Sequence, residues 1–118
     1  MKTKFLSNKE LKSLNFGSIG TNVLIDEYVN ITNPENVYIK DNVRIDAFTN
    51  LISTGKLFIS NNVHISSFCH LVSTGEIFMD EFSGFSQGVK VYTVSDDYLG
   101  DQPTNPTIPS KYKTMKLA

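Results

Sequence analysis

The sequence predicts an all-β fold in which the chain winds into about four stacked, three-sided coils of parallel strands. Three apolar series with members 20 residues apart support it: Ile19, Ile39, Ile59 and Met79; Ile25, Ile45, Ile65 and Phe85; Ile31, Leu51, Leu71 and Val91. Within one period the apolar residues fall six apart, before a two-residue excess. This spacing fits neither a helix nor simple alternation, but it fits a chain that turns a corner every six residues.

A second observation is the near-repetition of "ISTGKLF" (52–58) as "VSTGEIF" (72–78). Stacked coils place residues 20 apart above one another at about 4.8 Å, the spacing of paired strands. The same corner then recurs in each coil, and we expect glycine there to supply a positive φ. Asn22, Asn42 and Asn62 form another column, and asparagine also tolerates the left-handed region. An antiparallel β-sandwich is the alternative, but it would show period-2 alternation and turn signals every 8–12 residues.

The segment 1–18 is predicted to be a helix and cap. Ser7 and Glu10 are spaced as a capping box, Leu6 and Leu11 as a hydrophobic staple, and Gly17 is placed to end the helix. We expect this helix to cover the apolar end of the coils.

The coils are predicted to span 19–93, and 94–118 is predicted to be a proline-rich loop. Pro103, Pro106 and Pro109 oppose both helix and central strand there. The last coil has no cap in this sequence, so either another chain covers it or the sequence is a fragment whose later coils are missing. We favour the fragment.

Composition excludes several classes of function. The net charge of −1 provides no basic surface for nucleic acid, and no apolar run reaches the length of a membrane span. Cys69 is the single cysteine, which suits a reducing compartment, and its place in the repeat predicts a core thiol. Two histidines without a cysteine cluster predict no metal site. We expect a cytoplasmic protein.

The stretches "LSNKELKSLNFGSIGTNVLI", "NVRIDAF", "NVHISSF" and "VYTVSDDYLGDQPTNPTIPSKYK" resemble the hexapeptide-repeat acyltransferase superfamily, in its sugar and polysaccharide O-acetyltransferase branch. The resemblance covers essentially the whole chain and implies a left-handed parallel β-helix. It also implies a homotrimer with shared active sites, acetyl-CoA as co-substrate and a sugar acceptor. Later coils of the "PVxIGxxVxIG" kind, which carry much of the family's acetyl-CoA site, are absent here, so the cofactor-binding residues stay unknown.

The mechanism implied by the resemblance is direct acetyl transfer with a histidine as general base. His64 is the candidate, because it lies in "NVHISSF" and should point outward, between Arg44 below and Gly84 above. His70, stacked between Asn50 and Lys90, is a candidate for substrate binding. For either histidine, the alternative is a solvated surface residue.

In galactoside-type acetyltransferases the loop after the repeat supplies the catalytic histidine, but here that place reads Ser95-Asp96-Asp97. Asp96, Asp97 and Tyr98 are therefore candidates for substrate binding, with a turn-forming cluster as the alternative. Asp46 is a further candidate for sugar binding. Its plainer interpretation is a surface ion pair with Arg44.

The leading hypothesis is an acetyl-CoA-dependent O-acetyltransferase that acts on a sugar or polysaccharide precursor. N-acetylation of a nucleotide-linked amino sugar is a second hypothesis, and nothing in the residues separates the two. A third is a non-catalytic or truncated β-helix. An ice-binding surface would need a flat threonine face, whereas the exposed columns here mix Lys, Glu, Asn, Phe and Tyr.

Overall fold

A computed structural model describes residues 4–93, and the predicted proline-rich loop 94–118 lies outside this range. The described chain begins with helix α1 (Asn8–Ser13) and continues as twelve short strands, three to a coil. The first coil contains β1 (Ser18–Ile19), β2 (Val23–Ile25) and β3 (Asn30–Thr32). The second coil starts after a 3-10 turn at Pro34–Asn36 and contains β4 (Val37–Ile39), β5 (Val43–Ile45) and β6 (Asn50–Ser53). The third coil contains β7 (Leu57–Ile59), β8 (His64–Ile65) and β9 (His70–Ser73), and the fourth β10 (Ile77–Met79), β11 (Gly84–Phe85) and β12 (Lys90–Thr93).

Strands of successive coils pair in parallel and form three four-stranded sheets. The first sheet is β1-β4-β7-β10, the second β2-β5-β8-β11 and the third β3-β6-β9-β12. Every paired residue is 20 positions from its partner, as in Ile19↔Ile39 and Ile45↔Ile65. The predicted register and the all-β solenoid of about four turns are therefore confirmed.

The three apolar series fill the interior between the sheets. Ile25, Ile45, Ile65, Leu51 and Leu71 have no exposed surface. Smaller residues occupy the remaining inward positions, among them Val43, Val63 and Cys69. Because each coil presents only one layer of these side chains, the core becomes continuous only through stacking.

Helix α1 contributes to the same core. The Ser7 side chain accepts a hydrogen bond from the Glu10 N–H at 3.1 Å, and the Glu10 carboxylate accepts one from the Ser7 N–H at 2.9 Å, so the predicted capping box is present. Leu11 is buried in the core cluster, and Leu6 packs against it. The prediction that Gly17 ends the helix is wrong. Leu14 is the C-cap, and Asn15 takes the left-handed conformation at φ 60°.

The positive φ values at the corners agree with the sequence-based predictions for asparagine but not for glycine. Asn22, Asn42 and Asn62 have φ of 55°, 58° and 59°, as predicted. The explanation offered for the repeated "STG" is wrong, because within residues 4–93 the only glycine with a positive φ is Gly88. Gly55 is needed for a different reason: a side chain there would collide with the carbonyl oxygen of Gly75 in the next coil.

Candidate functional site

On the outer face of the second sheet, three charged or polar side chains contact one another in a row. His64 and Arg44 occupy adjacent rungs, because β5 pairs with β8 in the register Arg44↔His64. Asp46 follows Arg44 at the end of β5 and reaches both. Its Oδ2 lies 2.8 Å from His64 Nε2, and its Oδ1 accepts a hydrogen bond of 2.8 Å from Arg44 Nε.

Asp46 is held more firmly than a surface carboxylate normally is. Its side chain is 17% exposed, whereas those of Arg44 and His64 are 51% and 54% exposed. Partial burial alone would raise the pKa of Asp46, but the hydrogen bonds from Arg44 and His64 outweigh that effect and lower the pKa below its ordinary value. The group therefore stays a carboxylate that accepts from both neighbours.

Arg44 is fixed from its other side by the N-terminal segment. Its guanidinium carbon lies 5.5 Å from the centroid of the Phe5 ring, within the range of a cation–π contact. Phe5 is held there by an antiparallel bridge to Asp26. The surface ion pair expected between Arg44 and Asp46 is present, but it belongs to a longer chain of contacts that ends at His64.

The space above His64 is set by a glycine, as the sequence predicts. Gly84 pairs with His64 in the fourth coil. A Cβ at Gly84 would lie 2.7 Å from the His64 carbonyl oxygen, so a larger residue would push the two strands apart. The imidazole thus has no side chain directly above it in this column.

The fixed orientation of His64 has a chemical consequence. A ring nitrogen that faces a carboxylate carries the proton, so Nε2–H donates to Asp46 and the neutral imidazole keeps its lone pair on Nδ1. That lone pair can accept a proton from a bound hydroxyl or amine. A surface depression of about 300 Å³ lies beside this group and is lined by Asp26, Arg44, Asp46, Ala47, Phe48, Ser67 and Phe68.

The contacts of Asp46 predict how the free energy of unfolding depends on pH. Because its pKa is lower in the folded protein than in the unfolded chain, the carboxylate stabilises the fold above the unfolded-state pKa of about 3.9. This contribution is lost as the pH falls through the folded-state pKa. We expect the free energy of unfolding of Asp46→Asn to lie below that of the parent at about pH 7, with the gap closing below about pH 4.

Urea denaturation at several pH values measures this gap. Ser66→Ala is the control, because Ser66 occupies the next rung of the same column and carries no charge. A gap between the parent and Asp46→Asn that stays constant from about pH 7 to about pH 3 would contradict the assignment.

His70 lies on another face of the molecule. It pairs with Asn50 below and Lys90 above, as predicted, but in the third sheet. Its ring is half-buried and lies 5.6 Å from the Tyr92 ring in a tilted arrangement. The structure therefore does not bring His70 onto the sheet that carries His64, and its role in substrate binding stays a prediction.

Asp96, Asp97 and Tyr98, the other predicted substrate-binding residues, lie outside the described residues. Cys69 is buried and its thiol donates to the Ser86 carbonyl oxygen at 3.2 Å, so the predicted core thiol is confirmed. Burial raises the pKa of the Cys69 thiol, which further disfavours a reactive thiolate. Asp26 is also buried, and its carboxylate accepts the Tyr28 N–H at 2.8 Å.

Sequence reasoning missed the aromatic residues at the corners. Tyr28, Phe48 and Phe68 stack in one column, with ring centroids 5.4 Å apart at each step. Phe48 and Phe68 have positive φ values of 63° and 64°, which is uncommon for bulky residues. The available signal was the 20-residue spacing of Tyr28, Phe48 and Phe68, which places three aromatic rings on successive rungs.

Within residues 4–93, no helix has the length and apolar character that a membrane crossing requires.

Similar proteins were found among solved structures. No protein-family model matches the sequence, and no match was found among curated proteins. Solved structures do match. One is AntD, an N-acyltransferase from Bacillus cereus in complex with dTDP and 3-hydroxybutyryl-CoA, which is 39% identical over 94% of this chain with a TM-score of 0.74.

A serine-to-cysteine variant of AntD from Bacillus cereus, in complex with dTDP-4-amino-4,6-dideoxyglucose and coenzyme A, is 38% identical over 95% of this chain with a TM-score of 0.73. The chain spans 58% and 59% of the lengths of these two AntD chains. The chain belongs to the left-handed β-helix family of hexapeptide-repeat acyltransferases.

Proposed function

We propose that the protein is an acyl-CoA-dependent acyltransferase that transfers an acetyl or related acyl group to a sugar. The observation that carries the proposal is the 2.8 Å contact between His64 Nε2 and Asp46 Oδ2, on a face where the rung above is glycine. The similarity to AntD, whose structures contain coenzyme A or an acyl-CoA, supports the donor. We treat His64 as the general base and Asp46 as the residue that orients it.

The proposed reaction is a single direct transfer. His64 Nδ1 removes the proton from the acceptor hydroxyl or amine while the acceptor atom attacks the thioester carbonyl carbon. The carbon–sulfur bond then breaks, and the leaving thiolate takes the proton from the imidazolium. Arg44 keeps Asp46 ionised throughout, so the imidazolium that forms in between faces a negative charge.

We propose that the acceptor is a sugar carried on a nucleoside diphosphate. The AntD structure with dTDP-4-amino-4,6-dideoxyglucose supports this class of acceptor and favours an amine as the acylated group. The resemblance of the repeat stretches to polysaccharide O-acetyltransferases favours a hydroxyl instead. Both groups suit the same base, because each must lose a proton on the way to the product.

The test is an acyl-transfer assay on the 118-residue chain with acetyl-CoA and two matched acceptors. One acceptor is dTDP-4-amino-4,6-dideoxyglucose, and the other is dTDP-glucose, which carries hydroxyls only. Release of the coenzyme A thiol is followed with a thiol reagent, and the buried Cys69 keeps the protein's own reaction slow. We expect acceptor-dependent thiol release and a product heavier by one acyl group.

The product identifies the acylated atom. Neutral hydroxylamine cleaves an O-acyl ester but leaves an amide intact, so treatment of the purified product separates O- from N-acylation. Thiol release that is no faster with either acceptor than with acetyl-CoA alone would show the proposal to be wrong. The predicted homotrimer and the predicted roles of His70, Asp96, Asp97 and Tyr98 in acceptor binding stay predictions.

A further inference from the structure

The aromatic column beside the site stops one rung early. Tyr28, Phe48 and Phe68 occupy equivalent corner positions of the first three coils, and their rings are nearly parallel, at 17° and 19°. Gly88 occupies the same corner in the fourth coil, where its N–H donates to the Ser67 carbonyl oxygen at 3.1 Å. The fourth rung of the column therefore has no ring.

The missing ring leaves a slot above Phe68. Among the described residues, none comes within 4 Å of a Cβ built at Gly88. Phe68 is accordingly 55% exposed, compared with 41% for Phe48, which has a ring on either side. Since successive coils are spaced at about 4.8 Å, one flat ring stacked on Phe68 would lie at the level of the fourth coil, in the space that Gly88 leaves open.

The backbone at these corners indicates that phenylalanine is not there for ease of folding. Phe48 and Phe68 both adopt left-handed φ values, which disfavour bulky side chains. Asparagine occupies the corners at Asn42 and Asn62, where φ is nearly the same, at 58° and 59°. Both phenylalanine rings also lie outside the buried core. Strained residues that the core does not need concentrate at functional sites.

The slot and His64 lie on the same strip of surface. Along the third coil, the side chains from His64 to Phe68 lie outside the buried core except for Ile65. The fourth coil places glycine above both ends of this strip, with Gly84 over His64 and Gly88 over Phe68. Four residues of extended chain span at most about 13 Å. This distance suits a ligand whose planar end and reacting end are separated by a pentose and a diphosphate.

We propose that the Phe68 ring, in the slot left open by Gly88, binds the planar base of the nucleoside diphosphate that carries the acceptor sugar. The proposal rests on the proposed function for the identity of the acceptor. Stacking on an aromatic face requires no hydrogen-bonding partner and tolerates different bases. The base fills the fourth rung of the column, and the sugar at the far end of the ligand lies at His64.

The test measures binding of thymidine diphosphate to the 118-residue chain by isothermal titration calorimetry, with no acyl-CoA present. Phe68→Leu is expected to weaken binding by about 5–150-fold, the loss that corresponds to one stacked base. Gly88→Phe is expected to abolish binding by continuing the column into the slot. The column already accepts phenylalanine at positive φ in Phe48 and Phe68, so this variant should fold.

Phe82→Leu is the matched control. Phe82 is 74% exposed and has a positive φ of 61°, but it lies at the corner of the asparagine column. Its substitution should leave thymidine diphosphate binding unchanged. Circular dichroism of each variant confirms that the coils are folded.

Several outcomes would overturn the inference. They are no binding of thymidine diphosphate by the parent, equal weakening by Phe68→Leu and Phe82→Leu, or undiminished binding by Gly88→Phe. Phe68-dependent binding of a free pyranose but not of thymidine would show that the slot holds the sugar instead. Binding of thymidine diphosphate is measured without acyl transfer, so the two proposals can fail separately. If the protein transfers acyl groups but Phe68→Leu leaves thymidine diphosphate binding unchanged, only the proposed role of Phe68 is refuted. Phe68-dependent binding without acyl transfer would refute only the proposed function.

Discussion

Replacing His64 with alanine is expected to lower the rate of acyl transfer by about 10²–10⁴-fold, the usual contribution of a general base. The loss should appear mainly in kcat, because the proton is removed only as the acceptor attacks. Exogenous imidazole should restore part of the rate in His64→Ala, since a small base can enter the space above Arg44 that the side chain has left. Steady-state kinetics with acetyl-CoA and the better of the two acceptors measures both effects.

Lys56→Ala is the control for this experiment. Lys56 lies 5.9 Å from the Tyr38 ring centroid beside the first sheet, away from the proposed site, and its loss should leave kcat unchanged. The kcat of Asp46→Asn should lie between those of the parent and His64→Ala. Imidazole should not raise the kcat of Asp46→Asn, because the base is present but poorly oriented. Unchanged turnover in His64→Ala would exclude His64 as the base.

Replacing Ile45 with alanine is expected to lower the free energy of unfolding by about 2–5 kcal/mol. Ile45 has no exposed surface and lies between Ile25 and Ile65 in one inward column, so the cavity would lie between three coils. A domain of this size has a total stability of about 5–15 kcal/mol, so the variant would lose a large share. Chemical denaturation followed by circular dichroism measures the change.

Two further variants test whether the loss of stability depends on the volume removed and on burial. Ile45→Val should cost only about 0.5–1.5 kcal/mol, because it removes a single methylene from the same place. Leu24→Ala tests the outer face of the adjacent coil, since Leu24 lies on β2 next to Ile25 but is 37% exposed. If Leu24→Ala destabilises the protein as much as Ile45→Ala, the assignment of inward and outward columns is wrong.

The sequence revealed the coils because their interior repeats along the chain. A column such as Ile25, Ile45, Ile65 and Phe85 can be identified without any knowledge of the third dimension, since stacking converts vertical neighbours into a period of 20. The same arithmetic placed His64 between Arg44 and Gly84. Register is encoded in spacing, and spacing is visible in a sequence.

What the spacing does not encode is the direction in which a surface side chain turns. Asp46 lies one coil below His64 but two positions away along the strand, and only the rotamers bring its Oδ2 to the imidazole. In the same way, the stacking of Phe48 on Phe68 depends on a left-handed corner, for which phenylalanine gives no signal. The repeated "STG" draws attention to Gly55, but the close approach of Gly75 that requires a glycine there is visible only in three dimensions.

The alternation of buried and outward residues along each short strand has an evolutionary consequence. In β5, Val43 and Ile45 face the core while Arg44 between them faces the surface, and the other strands follow the same pattern. Substitutions at the outward positions change what the surface can bind while the interior layer stays intact. Selection can therefore change what each rung of the surface binds, with little effect on the stability of the coils.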